Sequence, residues 1–559
     1  MRVNQLRWTT TAVRARQTSI TIPWRALALV LTVALAGRVL LLASNRVSFH
    51  SDEAVVALMA RHILDGARPT FFYGQAYMGS LDAWLVAVGF RLLGESVLTI
   101  RIVQAVLYLG VVATGFLVAW RLSGRGVVAL VTGLLLALPP VLLAVYTTAT
   151  LGGYNETLIF GNLLLILGYD VTHEHSRSWW RWGLLGIIGG VGWWTNGLIA
   201  AFAAPVALFI VYRTLRPAPE NRGYSLAQRA APLLLAAPGF FVGSAPWWVF
   251  NFENEFAALA FYFVRDNASR FAGNDITAIP VDLRLLGLLF LGSPTLIGLR
   301  FPWQPQFFAP LIGAVVLFIY AAALYRLLRR PVMPDGKAAL KPDARGLLLG
   351  MIGLYSAIFL VSKFSIDPTG RYFLPLFVPL AISLGVLVDS IHRPPRLGWQ
   401  VAVAGFVLAY FVAGQISAAT EPPGLTTQFN LDSHLSNDYD DDLIAFLDER
   451  ELYAGYTTYW VAFRLAFLSD ERMQYSSALP YKPNLTYTEA DERYPAFKAA
   501  ADATDNPAYI TANVREVQTR LEEIFAEQGV EYEQAAVGPY TVYYNFSPEA
   551  PRPPLPFLE

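Results

Sequence analysis

Long apolar segments recur through the first three-quarters of the chain and constrain its fold more than any other feature. A helix needs about 20 consecutive apolar residues to cross the hydrocarbon core of a bilayer. Charged residues make up 15% of the sequence, against about 25% in an average soluble domain. We therefore predict a polytopic α-helical membrane protein with about eleven transmembrane helices. The predicted spans are 24–43, 100–120, 127–145, 155–171, 183–195, 197–213, 231–250, 309–328, 346–362, 372–389 and 398–417.

Positively charged residues alternate between the loops and predict how the spans are oriented. Cytoplasmic loops carry an excess of Lys and Arg. Clusters at 121–125, 213–229 and 326–345 fall in every second loop, together with the basic N-terminus. The apolar segment 283–300 would invert all later loops if it crossed, so we expect it to be re-entrant or interfacial. The N-terminus is predicted to be cytoplasmic, and the first span is expected to be uncleaved.

The composition changes near Glu421, where the chain becomes rich in Asp, Glu, Tyr and Asn. We predict a transmembrane domain (1–418) with a long outer-face loop (44–99), followed by a small extracytoplasmic soluble α/β domain (419–559) of ordinary domain size. An apolar helix near 81–93 is too short to span and is expected to lie along the interface. In the soluble domain the sequence predicts helices at 441–451, 459–469 and 514–528 and strands at 508–511 and 541–546.

Two adjacent carboxylates, Asp52 and Glu53, follow the first span at the outer membrane face. Ser51 is a suitable N-cap for a helix that Gly66 would end. Acids also suit the first turn of any helix, because its backbone N–H groups are unpaired. A carboxylate at this position can alternatively act as a general base toward a hydroxyl. Asp52 is the better candidate for that role, and Glu53 is expected to orient it or to bind another group.

The same outer loop contains further candidate binding residues. Arg61 either pairs with Asp65 at i,i+4 spacing or provides a cation for an anionic lipid headgroup. Gln75 and Tyr77 lie in a Gly-containing aromatic stretch, YGQAYMGSLDAW, that could bind a sugar.

Three more ionisable residues lie where later spans meet the outer face. Glu156 begins the fourth span, where an ionisable group indicates function unless it only caps the helix. Lys363 and Arg371 flank a turn between two late spans. The planar fork of Arg371 suits a phosphate, although interfacial snorkelling is the alternative. Arg38 lies within the first span and requires a partner there.

Several classes of chemistry lack support in the sequence. The net charge is zero, so nothing suggests nucleic acid, and the absence of Cys excludes disulfides and thiolate chemistry. The histidines do not form a metal-ligand pattern, so we assign no metal residues, although a divalent metal cofactor stays open. No Walker, Rossmann or G-x-S-x-G motif is present. A nucleotide-sugar donor therefore has no obvious binding site.

The motifs together resemble a known family. FHSDEAVVALMARHILDG (49–66) after the first span is similar to the acidic first-loop motif of the GT-C glycosyltransferases. The aromatic–glycine loop, GGYNET (152–157) and GRYFLPLFVPL (370–380) are similar to the group of protein O-mannosyltransferases, lipid A aminoarabinose transferases and RgtA/B/C/D-like enzymes. The resemblance covers about residues 24–417.

The resemblance implies an inverting transfer of a sugar from a polyprenyl-phosphate-linked donor at the outer face of a bacterial or archaeal plasma membrane. It implies that Asp52 is the base, Glu53 its motif partner, Glu156 a second acid and Arg371 a phosphate ligand. Many relatives carry a Lys-Pro-Pro-like stretch where this chain has 75–80, so Arg61, Lys363 or Arg371 must supply the missing cation. The acceptor, a protein, a lipid or a glycan, stays open.

Two other functions remain possible at this stage. A lipid or sugar transporter or flippase would carry charged or helix-breaking residues in mid-membrane, and Arg38 is the residue that fits this description. A membrane assembly protein would use its outer domain to bind a partner, and Asp52 would then only cap a helix. Replacement of Asp52 by Asn separates these functions, because Asn caps equally well but cannot act as a base.

Overall fold

The computed structural model describes residues 22–173, 179–217, 221–263, 280–299, 310–329, 336, 338–362, 370–391, 394–428 and 434–553. Among them, eight helical segments are long and apolar enough to cross a membrane. They are Trp24–Ala43, Val97–Ser123, Gly197–Leu215, Leu226–Gly243, Pro310–Leu328, Ala344–Val361, Arg371–Asp389 and Arg396–Thr420.

The other three predicted spans are also helical but differ in length or polarity. The third span is divided into Gly126–Ala137 and Val141–Tyr146, because proline at 139 and 140 removes backbone donors. Tyr154–His173 contains several polar residues, and Trp179–Thr195 has 17 residues. The predicted break before residue 197 is confirmed, since a separate 3₁₀ turn, Gly197–Ile199, follows there.

The outer loop after α1 (Trp24–Ala43) folds into two helices and a small hairpin. Helix α2 is Ser51–Leu64 and α3 is Leu81–Leu93, with β1 (Phe71–Phe72) and β2 (Gln75–Gly79) pairing between them. Ser51 is the first helical residue and its hydroxyl makes no cap, so the predicted N-cap is wrong; His50 occupies that position. Gly66 adopts a φ of +107° just past the helix, a backbone conformation that glycine accommodates.

The apolar segment near 283–300 does not form one long helix. It consists of Val281–Gly287, a π-turn at Leu288–Gly292 and the short helix Ser293–Leu296. A continuous span would need about 20 residues. The remaining short helices outside the C-terminal region are Leu226–Ala230 and Leu233–Gly243 within one span, then Ala245–Glu253 and Ala257–Phe263.

The C-terminal region contains a mixed five-stranded sheet. The strands are β3 (Ala454–Thr458), β4 (Gln474–Leu479), β5 (Ala508–Ala512), β6 (Glu531–Val537) and β7 (Tyr540–Ser547), in the order β4-β3-β5-β7-β6. The first three strands are parallel, and β7 is antiparallel to both β5 and β6. The helices are Asp440–Glu449, Tyr459–Leu468, Pro495–Ala503 and Arg515–Glu527. The fold class predicted from the sequence is confirmed.

The outer loop and the C-terminal sheet share one hydrophobic cluster. Apolar residues of α2, such as Val55, Leu58 and Met59, are buried in the same cluster as Phe463 and Ile510 of the sheet region. Because α2 packs against the helix Tyr459–Leu468 of the C-terminal region, the position of its first turn is set by both parts of the protein.

Arg38 has the partners that its position in the first span demands. Its guanidinium donates to the hydroxyls of Thr147 and Thr148 and to the carbonyl of Ala144. It also lies 3.6 Å from the ring centroid of Tyr108. Arg38 is therefore buried among helices, where it fixes the broken third span against α1.

Candidate active site

The first turn of α2 places Asp52 at the meeting point of the outer loop and the C-terminal region. Asp52 is half-buried, and the Tyr459 hydroxyl donates a hydrogen bond to Asp52 Oδ1 at 2.5 Å. Burial raises the pKa of Tyr459 far above its ordinary value, and the charge of Asp52 raises it further. The phenol therefore stays protonated and fixes the orientation of the carboxylate.

Tyr459 and Arg493 reach Asp52 because both follow parallel strands. Tyr459 begins the helix directly after β3, and Arg493 lies in the connection that follows β4. Ligands of open α/β sheets bind outside the carboxyl ends of parallel strands. The carboxyl edge of this sheet faces α2, so the C-terminal region contributes side chains to the site.

Gln75 and Tyr77 of strand β2 form the next part of the site. With its amide oxygen toward Arg493, Gln75 accepts from Arg493 Nη2 at 2.6 Å and donates to Tyr77 Oη at 3.1 Å. The Tyr77 ring stacks on Phe261 with centroids 4.3 Å apart. The structure therefore brings together Gln75 and Tyr77, whereas Asp82, the third residue of this stretch that the sequence offers for sugar binding, pairs with Gln104 and Thr150.

Charged groups from three parts of the chain surround the Tyr77 phenol. Burial raises the pKa of Tyr77 to about 12, and Tyr372 and Asp52 act in the same direction, whereas Arg493 and Arg371 oppose them. Arg371 opens a span at its outer end and donates to Tyr372 Oη at 3.1 Å. The carboxylate of Asp52 and the guanidinium groups of Arg371 and Arg493 thus lie near enough to act on the same phenol. Lys363, the other predicted cation, lies outside the described residues.

Glu53 faces away from this convergence. It is fully buried, and Glu53 Oε2 accepts from Arg101 Nη2 at 2.8 Å while Oε1 accepts from the Thr150 backbone N–H at 3.2 Å. Burial raises the pKa of Glu53 to about 7, against the opposing influence of Arg101. The geometry supports the predicted positioning role, because Glu53 fixes α2 to the helix Val97–Ser123, and does not support contact with a substrate.

Arg61 does not lie at the site, so its predicted contact with a lipid headgroup is not supported. It lies nine residues after Asp52 on α2, or about 13 Å along the axis. Its guanidinium pairs with Glu95 and, at 3.2 Å, with Glu471 of the C-terminal region. The alternative pairing with Asp65 is also absent from the described contacts of Arg61. Arg61 instead joins the outer loop to the C-terminal region.

Glu156 belongs to a second buried polar cluster. Its carboxylate is 2% exposed and accepts no hydrogen bond from the described residues. Its acidic neighbour Asp82 accepts from Gln104, Thr150 and the backbone N–H groups of Gly152 and Gly153. Asp82 therefore fixes the loop before Glu156. A catalytic role for Glu156 stays a prediction.

The described residues contain no group of three or more His, Asp or Glu side chains arranged to bind a metal ion. His50, beside Asp52, is buried, and burial lowers its pKa to about 4. It hydrogen-bonds Thr427 Oγ1 through Nε2 at 2.7 Å. His50 is therefore neutral near pH 7 and adds no charge next to Asp52.

The chain is similar to known proteins in sequence over part of its length and in fold over nearly all of it. A family sequence model described as dolichyl-phosphate-mannose-protein mannosyltransferase matches residues 80–245. Crystal structures of ArnT from Cupriavidus metallidurans, bound to undecaprenyl phosphate and in the apo state, match with TM-scores of 0.58 and 0.55. Each is 14% identical, and each match covers 95% of this chain and 99% of the other. The chain therefore shares the fold of the ArnT structures over nearly its whole length, and residues 80–245 match the mannosyltransferase family model.

The crystal structure of the Archaeoglobus fulgidus oligosaccharyltransferase in complex with Zn and sulfate matches with a TM-score of 0.49 and 13% identity, covering 93% of this chain and 73% of the other. No sequence among curated proteins matches the chain significantly.

The sequence did not reveal which C-terminal residues reach the site. Tyr459, Arg493 and Asp491 lie more than four hundred positions after Asp52. Burial raises the pKa of Asp491 to about 6, while Arg493 and Lys482 oppose that shift. The available signal was weak: an arginine after two acids, DERY, in a region with no predicted element. Arg493 places a cation beside Gln75, whereas residues 75–80 themselves contain none.

Proposed function

We propose that this protein is a GT-C glycosyltransferase that transfers a sugar from a polyprenyl-phosphate-linked donor to an acceptor hydroxyl at the outer face of the membrane. The observation that carries the proposal is the cluster at the first turn of α2, in which Arg493 binds Gln75 beside Tyr77 and Arg371 and Asp52 lie close by. A base and two phosphate-binding forks are the groups that such a reaction requires. The ArnT structure bound to undecaprenyl phosphate, which shares this fold, supports the choice of donor class.

The proposed chemistry is a single displacement at the anomeric carbon. Asp52 accepts the proton of the acceptor hydroxyl as the hydroxyl oxygen bonds to that carbon. The bond from the anomeric carbon to the phosphate oxygen breaks on the opposite face, so the configuration inverts and polyprenyl phosphate leaves. No nucleotide is needed, because the bond to the lipid phosphate is already activated.

The two arginines come from different parts of the chain, and both are proposed to bind the donor phosphate. Arg371 begins a membrane span and can meet a phosphate at the end of a lipid tail, whereas Arg493 approaches from the C-terminal region. Negative charge grows on the leaving phosphate in the transition state, and guanidinium groups fixed in advance stabilise it. Gln75 accepts from Arg493 and so orients this cation.

The proposal includes a location. We place the protein in the plasma membrane of a bacterium or archaeon, with the N-terminus cytoplasmic and the C-terminal domain (419–559) outside. The Lys and Arg distribution of the loops supports this orientation, and so does the contact of the C-terminal region with the loop after the first span.

The decisive experiment uses purified protein in nanodiscs with a panel of radiolabelled polyprenyl-phosphate sugars. We expect the wild type to release polyprenyl phosphate and Asp52→Asn to lose release while unfolding at an unchanged temperature. Asp65→Asn is the matched control, because Asp65 is an exposed acid just past the same helix, and it should retain full turnover. Turnover retained by Asp52→Asn would overturn the base assignment. No binding of any donor would overturn the donor class.

A further inference from the structure

A cavity of about 600 Å³ lies between the outer loop and the C-terminal region. Its walls are the hairpin residues 69–76, aromatic residues of the segment 250–261, and the connection 489–492. The volume is typical of small-molecule sites. The mechanism proposed above does not use this cavity.

The lining has a distinct chemistry. Aromatic side chains of Phe71, Phe72, Phe250 and Phe261 provide apolar faces, and Glu489 and Glu492 provide carboxylates. Among the described residues, the lining includes neither Lys nor Arg. Such a surface favours a ligand with flat apolar faces and hydroxyl donors, and it disfavours an anion.

Glu492 offers an acceptor atom without a partner. Glu492 Oε2 accepts from Ser476 Oγ at 2.6 Å and from the Ser477 backbone N–H at 3.1 Å. Glu492 Oε1 is buried and takes no hydrogen bond from the described residues. A buried acceptor left unpaired is costly. Glu492 lines the cavity, so a turn of its carboxylate that brings this oxygen to a ligand hydroxyl would gain binding free energy.

The cavity adjoins the candidate active site through one residue. Gln75 lines the cavity and also contacts Arg493 and Tyr77, which lie beside Asp52. We propose that this cavity binds the acceptor, and that the acceptor is a neutral saccharide. This inference rests on the proposed function. It narrows the acceptor from protein, lipid or glycan to a sugar without phosphate or carboxylate groups near the reacting hydroxyl.

A labelling experiment tests the cavity without relying on catalysis. The chain contains no cysteine, so Ala490→Cys places a single thiol on the cavity wall. The rate of maleimide labelling of the full-length protein in nanodiscs is measured with neutral methyl hexosides, with the matching methyl hexuronides, or with a Ser/Thr-rich peptide. We expect a hexoside to slow labelling by about tenfold at roughly ten times its Kd, and the hexuronides and the peptide to have no effect.

A second substitution identifies the contact. Glu492→Gln in the Ala490→Cys background should abolish protection by the hexoside without changing the unprotected labelling rate. Glu531→Gln, on an exposed edge strand, should leave protection intact. Absence of protection by every hexoside, equal protection by a hexuronide, or protection by the peptide would each overturn the inference. Protection without sugar transfer by the wild type would refute the proposed function alone, and transfer without protection would refute the cavity alone.

Discussion

In the proposed reaction, donor binding depends on two individual residues, Arg493 and Arg371. We expect Arg493→Gln and Arg371→Ala each to raise the apparent KM for donor by about ten- to a hundredfold, because a charge-assisted hydrogen bond contributes about 1.5–3 kcal/mol. The apparent KM for acceptor should change much less. Steady-state kinetics with both substrates varied provides the measurement.

The matched control is Arg450→Gln, since Arg450 pairs with Glu449 on the surface of the same C-terminal region. Arg450→Gln should leave the apparent KM values for donor and for acceptor unchanged. An unchanged apparent KM for donor in Arg493→Gln would show that Arg493 only supports the structure of the site. The same result in Arg371→Ala would remove the membrane-side phosphate ligand.

The sequence identified the site residues of the outer loop but not those of the C-terminal region. Asp52, Gln75 and Tyr77 were found because they lie close together after the first span. Tyr459 contacts Asp52, and Arg493 lies near it, only because the C-terminal helix Tyr459–Leu468 packs on α2. Contacts across such a sequence separation leave no local pattern in a single sequence. Arg61 was misassigned for the same reason, because its acceptor Glu471 is equally distant in the chain.

At the scale of elements, the buried pair of Glu53 and Arg101 connects α2 to a membrane helix and should make stability depend on pH. Burial raises the folded-state pKa of Glu53 from 4.5 to about 7. A carboxyl with a raised pKa binds its proton more tightly in the folded state, so its stabilising effect is complete at acid pH and is lost as the pH rises from 4.5 to about 7.

The unfolding temperature in detergent, measured for the wild type and for Glu53→Gln across that interval, checks this sign. We expect the wild type to lose stability relative to Glu53→Gln as the pH rises, and the difference to become constant above pH 7. A difference that does not vary with pH would contradict a raised pKa at Glu53.

Arg61 connects the end of α2 to the C-terminal region, and its removal should loosen that connection. Its side chain is 15% exposed and its partners Glu95 and Glu471 are 31% and 20% exposed. We therefore expect Arg61→Ala to lower the free energy of unfolding by about 1–2 kcal/mol, which lies between the values typical of surface ion pairs and of buried ion pairs. Differential scanning fluorimetry should show a lower unfolding temperature, with an unchanged donor KM. Arg520→Ala removes a surface pair with Glu523 and should have almost no effect; equal effects would refute the connecting role of Arg61.

Elements with a strong pattern were predicted well, and those without one were missed. Helix α3 was predicted near 81–93 and is Leu81–Leu93. Strand β3, AGYTT, is buried along its whole length and has no alternation of polar and apolar residues, while the edge strand β6, EYEQAAV, is largely exposed. Neither strand has the period-two pattern on which prediction depends.

At the scale of the whole molecule, one contact constrains the number of membrane crossings. The loop after α1 contains Asp52, and the region after the last span contains Tyr459, which hydrogen-bonds to Asp52. Both must therefore lie on the same side of the membrane, and an even number of crossings must separate them. If only the eight long helices cross the membrane, seven crossings follow α1. If the three shorter helices cross as well, ten crossings follow it. The three shorter helices must therefore contribute an odd number of crossings.

This parity predicts the sidedness of two exposed positions. With one or three shorter helices crossing, Gly223 follows an even number of spans and lies in the cytoplasm, whereas Asn506 lies outside with Asp52. Because the chain lacks cysteine, Gly223→Cys and Asn506→Cys each introduce a single thiol. In intact cells, a membrane-impermeant maleimide should label Asn506→Cys and should label Gly223→Cys only after permeabilisation. The reverse pattern would mean either that an even number of the shorter helices crosses or that the N-terminus lies outside. Only the first of these is incompatible with the contact between Tyr459 and Asp52. It would remove Arg493 from the active site, because Tyr459 and Arg493 belong to the same C-terminal region.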